Sequence, residues 1–174
     1  MRWFLLDALN IIHGCPLFRD LLPDRVLAAG ERLVDWVVPL AQAESHRVLV
    51  VFDGGAIGAV ATATAVLPSL LLIHTPPGRS ADGHILAALR RIRRHRWNSS
   101  PAVVSDDGAL GALARVSGGE VLSVEAFFQK LQAYRKCQGE RLSALRGRVE
   151  KSWPTIGDLM AQTARGGCGP GDRR

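Results

Sequence analysis

The sequence predicts an α/β protein: three layers, α/β/α, around a mostly parallel five-stranded sheet. Short apolar runs recur along the chain, and segments with helical spacing alternate with them. In addition, 47% of the 174 residues are apolar and only 22% charged, enough for a chain of this length to bury a core and too little charge for wholesale disorder.

The first run, Trp3–Leu6, is nearly unbroken in hydrophobicity, as a strand covered on both faces must be. Val26, Leu27, Leu33, Val34, Val37 and Leu40 then form a helical stripe. Val48–Phe52 is the second strand. The 20 uncharged residues from Gly54 to Ile73 match the length of a membrane span. Their first half, however, is glycine, alanine and threonine, and Pro68-Ser69 separates it from a Leu/Ile run. The expectation is a loosely helical connector and then a buried third strand, Leu70–His74, with no membrane contact. Ile85, Leu86, Leu89 and Ile92 mark a second helix and Leu110, Leu113 and Ala114 a third. Ala102–Val104 and Glu120–Leu122 supply strands four and five, and Phe127, Phe128 and Leu131 begin a last helix. From about Gln138 the chain changes character. Glu140–Val149 extends a basic helix, whereas GGCGP at 166–170 and the closing GDRR read as disordered. Trp3, Trp36 and Phe52 are most simply core aromatics.

Cys15, Cys137 and Cys168 are scattered and odd in number. They exclude a disulfide framework and a cysteine-rich zinc module, and fit a reducing cytoplasm. The opening MRWFLLD reaches an acid too early for the apolar core of a signal peptide. Charge is uneven. Residues 1–128 carry 12 basic and 12 acidic side chains, so the whole excess of +6 (10 basic minus 4 acidic) lies in residues 129–174. A second cluster, RRIRRHR at 90–96, has five arginines in seven residues. Such clusters are either solvated helix faces or contacts to a polyanion such as RNA.

In open parallel sheets, ligands bind at the carboxyl ends of the strands. There the sequence places Asp7 at the first strand's tip with Asn10 in the following loop, Asp53 at the second tip, Asp82 in the first turn of a helix, and Asp106 and Asp107 at the fourth tip. Each has an innocent reading. Asp82 follows a Ser80 N-cap, Asp106 caps the helix through Leu110, and Asp53 before two glycines is a turn residue. Together, clustered carboxylates repel unless a cation sits among them. Oxygen ligands without a nearby cysteine or histidine pair select Mg²⁺ or Mn²⁺ over zinc. One or two such ions on Asp7, Asp82 and Asp106 would activate water for in-line attack on a phosphodiester. Asn10 would orient a carboxylate or the scissile phosphate, while Arg79, Arg90, Arg93 and Arg94 would grip flanking phosphates. Ser105 and Thr75, at strand ends, either bond phosphate or cap backbone. Trp97 beside the arginine run either stacks on a base or is partly buried.

LLDxxN at the first strand, VVFD at the second, SADxxI at the helix and SD at the fourth strand resemble the NYN domains of the PIN-like nuclease superfamily, most of all their YacP-like branch. The resemblance covers residues 3 to 131, through the VLSVEAFF element. It implies a metal-dependent endoribonuclease of PIN-like/NYN architecture over residues 1–137, acting on RNA, with some relatives cutting mRNA at the ribosome, and a basic extension over 138–174. By motif match, Asp7, Asn10, Asp82 and Asp106 take the metal and active-site positions; Asp53 matches a recurring acid and Asp107 adjoins a matched one, and both are expected with them among the metal ligands. Two departures stand out. The first motif reads Asp7-Ala8-Leu9-Asn10 where the family has DGYN, and Gly83-His84-Ile85-Leu86 replaces the further acids that commonly follow Asp82. Fewer acids mean weaker metal binding or a degenerate module that binds RNA without cutting; His84 either substitutes as ligand or base or is simply solvated. A phosphatase of the haloacid-dehalogenase type would need DxD after the first strand, and a dinucleotide site GxGxxG; neither is present.

Overall fold

The computed structural model describes residues 1–21, 25–43, 45–54, 61–95 and 100–152. In chain order the elements are β1 (Arg2–Asp7), α1 (Ala8–Gly14), a 3-10 turn (Pro16–Leu21), α2 (Val26–Ala41), β2 (His46–Phe52), β3 (Thr62–Leu67), β4 (Leu70–His74), α3 (Ala81–Arg94), β5 (Ser100–Val104), α4 (Gly108–Val116), β6 (Glu120–Leu122) and α5 (Val124–Ser152). The chain divides into two compact units, Met1–Arg135 and Lys136–Arg174.

The sheet order is β3-β4-β2-β1-β5-β6. Five strands are parallel, and only β3 runs antiparallel to its neighbour β4. Six strands therefore replace the expected five. The addition falls in the stretch read as a loosely helical connector, whose residues 55–60 lie outside the described residues. Alternating Thr-Ala-Thr-Ala suits an edge strand, with Pro68-Ser69 turning the chain back so that Thr62 pairs with His74 and Leu67 with Leu70. Among the described residues, no helix is long and apolar enough to cross a membrane.

Alternation along β1 builds two cores. Phe4 and Leu6 join Val48, Val50, Ala102 and Val104 against α1, α2 and α5, while Leu5 joins Leu49, Val51 and Val103 against α3 and α4. Both faces are covered, which is why these strands read as continuous apolar runs. Phe127 of α5 is 1% exposed in the first core, and Phe128 stacks on Trp36 of α2 at 4.9 Å. Arg135 lies over the indole of that pair, its guanidinium 4.3 Å from the Trp36 ring centre. Trp3 and Phe52 are partly buried against the two cores. The helix expected from Phe127 continues through the basic stretch Glu140–Val149 to Ser152. Trp97, Arg96 and the glycine-rich terminus lie outside the described residues.

From β1 the chain builds outward through β2 to β4, then crosses back to place β5 on the other side of β1. The strand order reverses at the carboxyl ends of β1 and β5, where open sheets of this kind form their ligand crevice.

Candidate functional site

The carboxyl edge brings Asp7, Asn10, Asp53, Asp82, Asp106 and Asp107 to one rim, but gives each a different task. Asp7 is the last residue of β1 and only 7% exposed. It is also the N-cap of α1, where one carboxylate oxygen accepts from the Asn10 backbone N–H at 3.1 Å. Asn10, expected in a loop, thus sits in the first turn of a helix. The second Asp7 oxygen receives the Ser105 hydroxyl at 3.4 Å. Burial pushes the Asp7 carboxyl above the usual range, and the nearby charges of Asp82 and Asp53 push it further. Asp82 is half-buried in the first turn of α3. Its carboxyl is raised by burial and then by Asp107 and Asp53.

Asp53 does more than turn the chain. Its carboxylate accepts from the Ala81 N–H and so caps α3, in place of the Ser80 hydroxyl, which makes no capping bond. Thr75, fully buried, ties the same corner: its hydroxyl donates to the Arg79 carbonyl at 2.8 Å and accepts from the Gly54 N–H at 2.9 Å. Gly54 there has φ +72°, a conformation that favours glycine.

At the β5 tip the roles of the two acids are exchanged relative to expectation. Asp107, not Asp106, caps the helix through Leu110, accepting from Ala109 N–H at 2.7 Å and Leu110 N–H at 3.0 Å. Its own N–H donates to the buried Ser105 hydroxyl at 3.1 Å. Asp106 instead accepts from the Val124 N–H that opens α5, at 3.0 Å, and its N–H donates to the Asn10 side-chain oxygen at 2.7 Å. Asp106 therefore clasps β5, α1 and α5 together. Replacing it with alanine is expected to cost about 1 kcal/mol, as is usual for a lost helix cap. Asp106→Asn keeps an acceptor and is expected to melt close to the parent in thermal denaturation.

The arginines divide. Arg79 lies at the rim, in a groove of about 460 Å³ that also includes Ser80 and His84. Arg90, Arg93 and Arg94 are exposed on the last turns of α3, roughly 12–18 Å along the axis from Asp82 at 1.5 Å per residue. The sequence cluster thus lies toward the far end of the helix. Arg93 rests against Gly118, where an added Cβ would meet its Nε at 3.0 Å. Cys15 is buried, which raises its thiol.

Among the described residues, no three Asp, Glu, His or Cys side chains are grouped closely enough to form a metal cage. The donor chemistry nonetheless suits a hard cation. Asp7 and Asp82 are raised carboxylates with no basic side chain in salt-bridge range among the described residues, and the Arg2–Glu120 ion pair lies at the amino ends of β1 and β6. Mg²⁺ is commonly held by one or two carboxylates, with water and substrate phosphate completing its shell.

The fold resembles crystal structures of Rae1 (YacP) from Bacillus subtilis. One, of a tryptophan-to-leucine point mutant of that protein, has a TM-score of 0.70 at 17% identity, over 94% of this chain and 99% of that one. Another has a TM-score of 0.69 at 16% identity, over 95% and 93%. Compared by sequence, no curated protein matches. The family model for the YacP-like NYN domain matches residues 4–158, nearly the whole of the strand and helix order described above. The chain therefore belongs to the YacP-like NYN domain family, whose PIN-like fold is that of a nuclease.

Proposed function

We propose that this chain is a divalent-metal-dependent endoribonuclease of the cytoplasm that cuts RNA phosphodiester bonds, mRNA on or near the ribosome among them. The observation that carries the reading is Asp7: a buried carboxylate with no cationic partner in salt-bridge range among the described residues, facing other acids at the switch point of a parallel sheet. Asp7 and Asp82 would hold Mg²⁺ or Mn²⁺. When bound, such an ion activates water and offsets the charge that develops on the phosphoryl oxygens. Asp53 and Asp107 add to the negative field, and Asp106 keeps the carboxylate oxygen that Val124 does not hold. Asn10 commits its side-chain oxygen to Asp106 and has its amide N–H groups left to donate to the scissile phosphate. Arg79 takes a neighbouring phosphate at the rim, and Arg90, Arg93 and Arg94 hold the strand farther along α3.

The test is cleavage of a structured or ribosome-bound RNA with added Mn²⁺, comparing the parent with Asp82→Asn and with chelator. A loss of about 10²-fold is expected from the substitution, and near-complete loss from chelation. Equal cutting in all three reactions removes the site. A second reading is favoured by the missing three-ligand cage among the described residues: an RNA-binding module without turnover. It requires chelator-insensitive binding with no product. Under either reading, Arg90→Ala with Arg94→Ala is expected to lower the slope of log affinity against log salt by about 1.4, as loss of two single-strand phosphate contacts does.

A further inference from the structure

Beside Asp53, on the α2 side of the sheet, lies a cavity of about 360 Å³ that the metal and phosphate roles leave unused. Phe52 and His74, paired in register on β2 and β4, stack at 4.9 Å with 11° between ring planes, and both line it. Gly30 of α2 makes room for this wall, since a Cβ there would come 3.1 Å from the Phe52 ring. Leu9 and Val34 add apolar surface, and Leu27, also in the lining, is 79% exposed. An apolar cavity lined by two aromatic rings suits a planar, uncharged ring.

The polar groups narrow the choice. Glu31 and Asp53 are the ionisable acids of the lining, and both only accept hydrogen bonds. They repel phosphate and favour a ligand with adjacent N–H donors. Guanine offers two in parallel, N1–H and the 2-amino group, matching a carboxylate fork. Adenine and cytosine offer one amino group, and uracil a single imino N–H. Asp53 also accepts from Ala81 N–H, one residue before Asp82, so it stands between the cavity and the acidic rim.

We infer that this cavity is a nucleobase subsite that takes a guanine of the RNA strand next to the bond to be cut. The inference rests on the RNA reading above but not on turnover. A base seated against Phe52 and His74 brings its sugar and phosphate to the rim at Asp53 and Asp82. Glu31 then reads the base edge, and the cavity gives the nuclease a local sequence preference.

The test measures binding of the full chain to short single-stranded RNAs in EDTA, so that cleavage plays no part. Oligo(U) carrying one central guanosine is compared with oligo(U) alone, with the same strand carrying inosine, which lacks the 2-amino group, and with one carrying adenosine. The guanosine strand is expected to bind about tenfold more tightly than oligo(U), with inosine between them. Glu31→Gln should erase most of that preference while leaving oligo(U) binding unchanged. Val34→Phe, which fills the cavity, should do the same. If Val34→Phe does not fold, Glu31→Gln and the inosine comparison on the parent decide the matter. Equal affinity for all strands overturns the inference, and a preference for adenosine overturns the assignment to guanine. Guanine preference in a chain that never cuts RNA would leave the subsite standing while removing the nuclease; cutting without preference would do the reverse.

Discussion

Asp7→Asn is expected to slow RNA cleavage by at least about 10²–10³-fold and, at neutral pH, to raise the melting temperature. The two effects share one cause. Asn retains the side-chain oxygen that accepts the Asn10 N–H, so α1 stays capped, while the charge at a 7%-exposed position is gone. In the parent, burial first and then Asp82 and Asp53 hold the Asp7 carboxyl above its ordinary value. A carboxyl raised in the folded state costs nothing below its ordinary titration range. As pH climbs through the raised value, the unfolded chain ionises more readily than the folded one, and stability is lost. Asp82, raised for similar reasons, adds to the same slope. Melting curves between about pH 4 and 8 should therefore fall more steeply toward neutral pH for the parent than for Asp7→Asn. Added Mn²⁺ should restore the parent's loss at neutral pH and shift the variant much less. A variant that melts below the parent at neutral pH, or an equal Mn²⁺ shift in both, would show that Asp7 is a structural cap with no strained charge.

Much of this frame is legible in the sequence because the physics behind it is local. β1, β2 and β5 are covered on both faces, so their sequences are unbroken apolar runs; α2 and α3 bury one stripe each and show helical spacing. β3 escapes because its residues are largely exposed, and an edge strand of alternating threonine and alanine carries little apolar signal. α1 escapes because it is a seven-residue helix opened by the same aspartate that ends the strand. The acids are legible as a set, yet their individual tasks are not. Asp106 and Asp107 are neighbours ahead of one helix, and spacing fits either as its cap. What separates them is a bond from Val124, 18 residues onward, to Asp106, which only the packed α5 supplies. The distance of the arginine run from the acids is hidden for a geometric reason: a helix that starts at the site carries its last turns away from it.

Thr75→Val is expected to destabilise the fold by about 1–3 kcal/mol and to slow cleavage up to about 10²-fold, although its hydroxyl bonds backbone rather than a carboxylate. Valine matches threonine in shape, so the cavity stays filled. It removes the one group that satisfies two loops at once, the Gly54 N–H after Asp53 and the Arg79 carbonyl before α3. Both backbone groups are then left without their partner at a position that is 0% exposed. The neighbouring bond, Thr75 N–H to the Phe52 carbonyl at 2.9 Å, survives, so β2 and β4 remain joined and the change stays local. What loosens is the spacing between Asp53 and the start of α3, and with it the placement of Asp82. Melting should fall by roughly 2–4 °C for each kcal/mol lost. Thr75→Ser retains the hydroxyl and is expected to cut RNA near the parental rate despite a smaller side chain. Should serine fall as far as valine in activity, the methyl group rather than the hydroxyl is what holds this corner, and Thr75 is a packing residue with no part in aligning the acids.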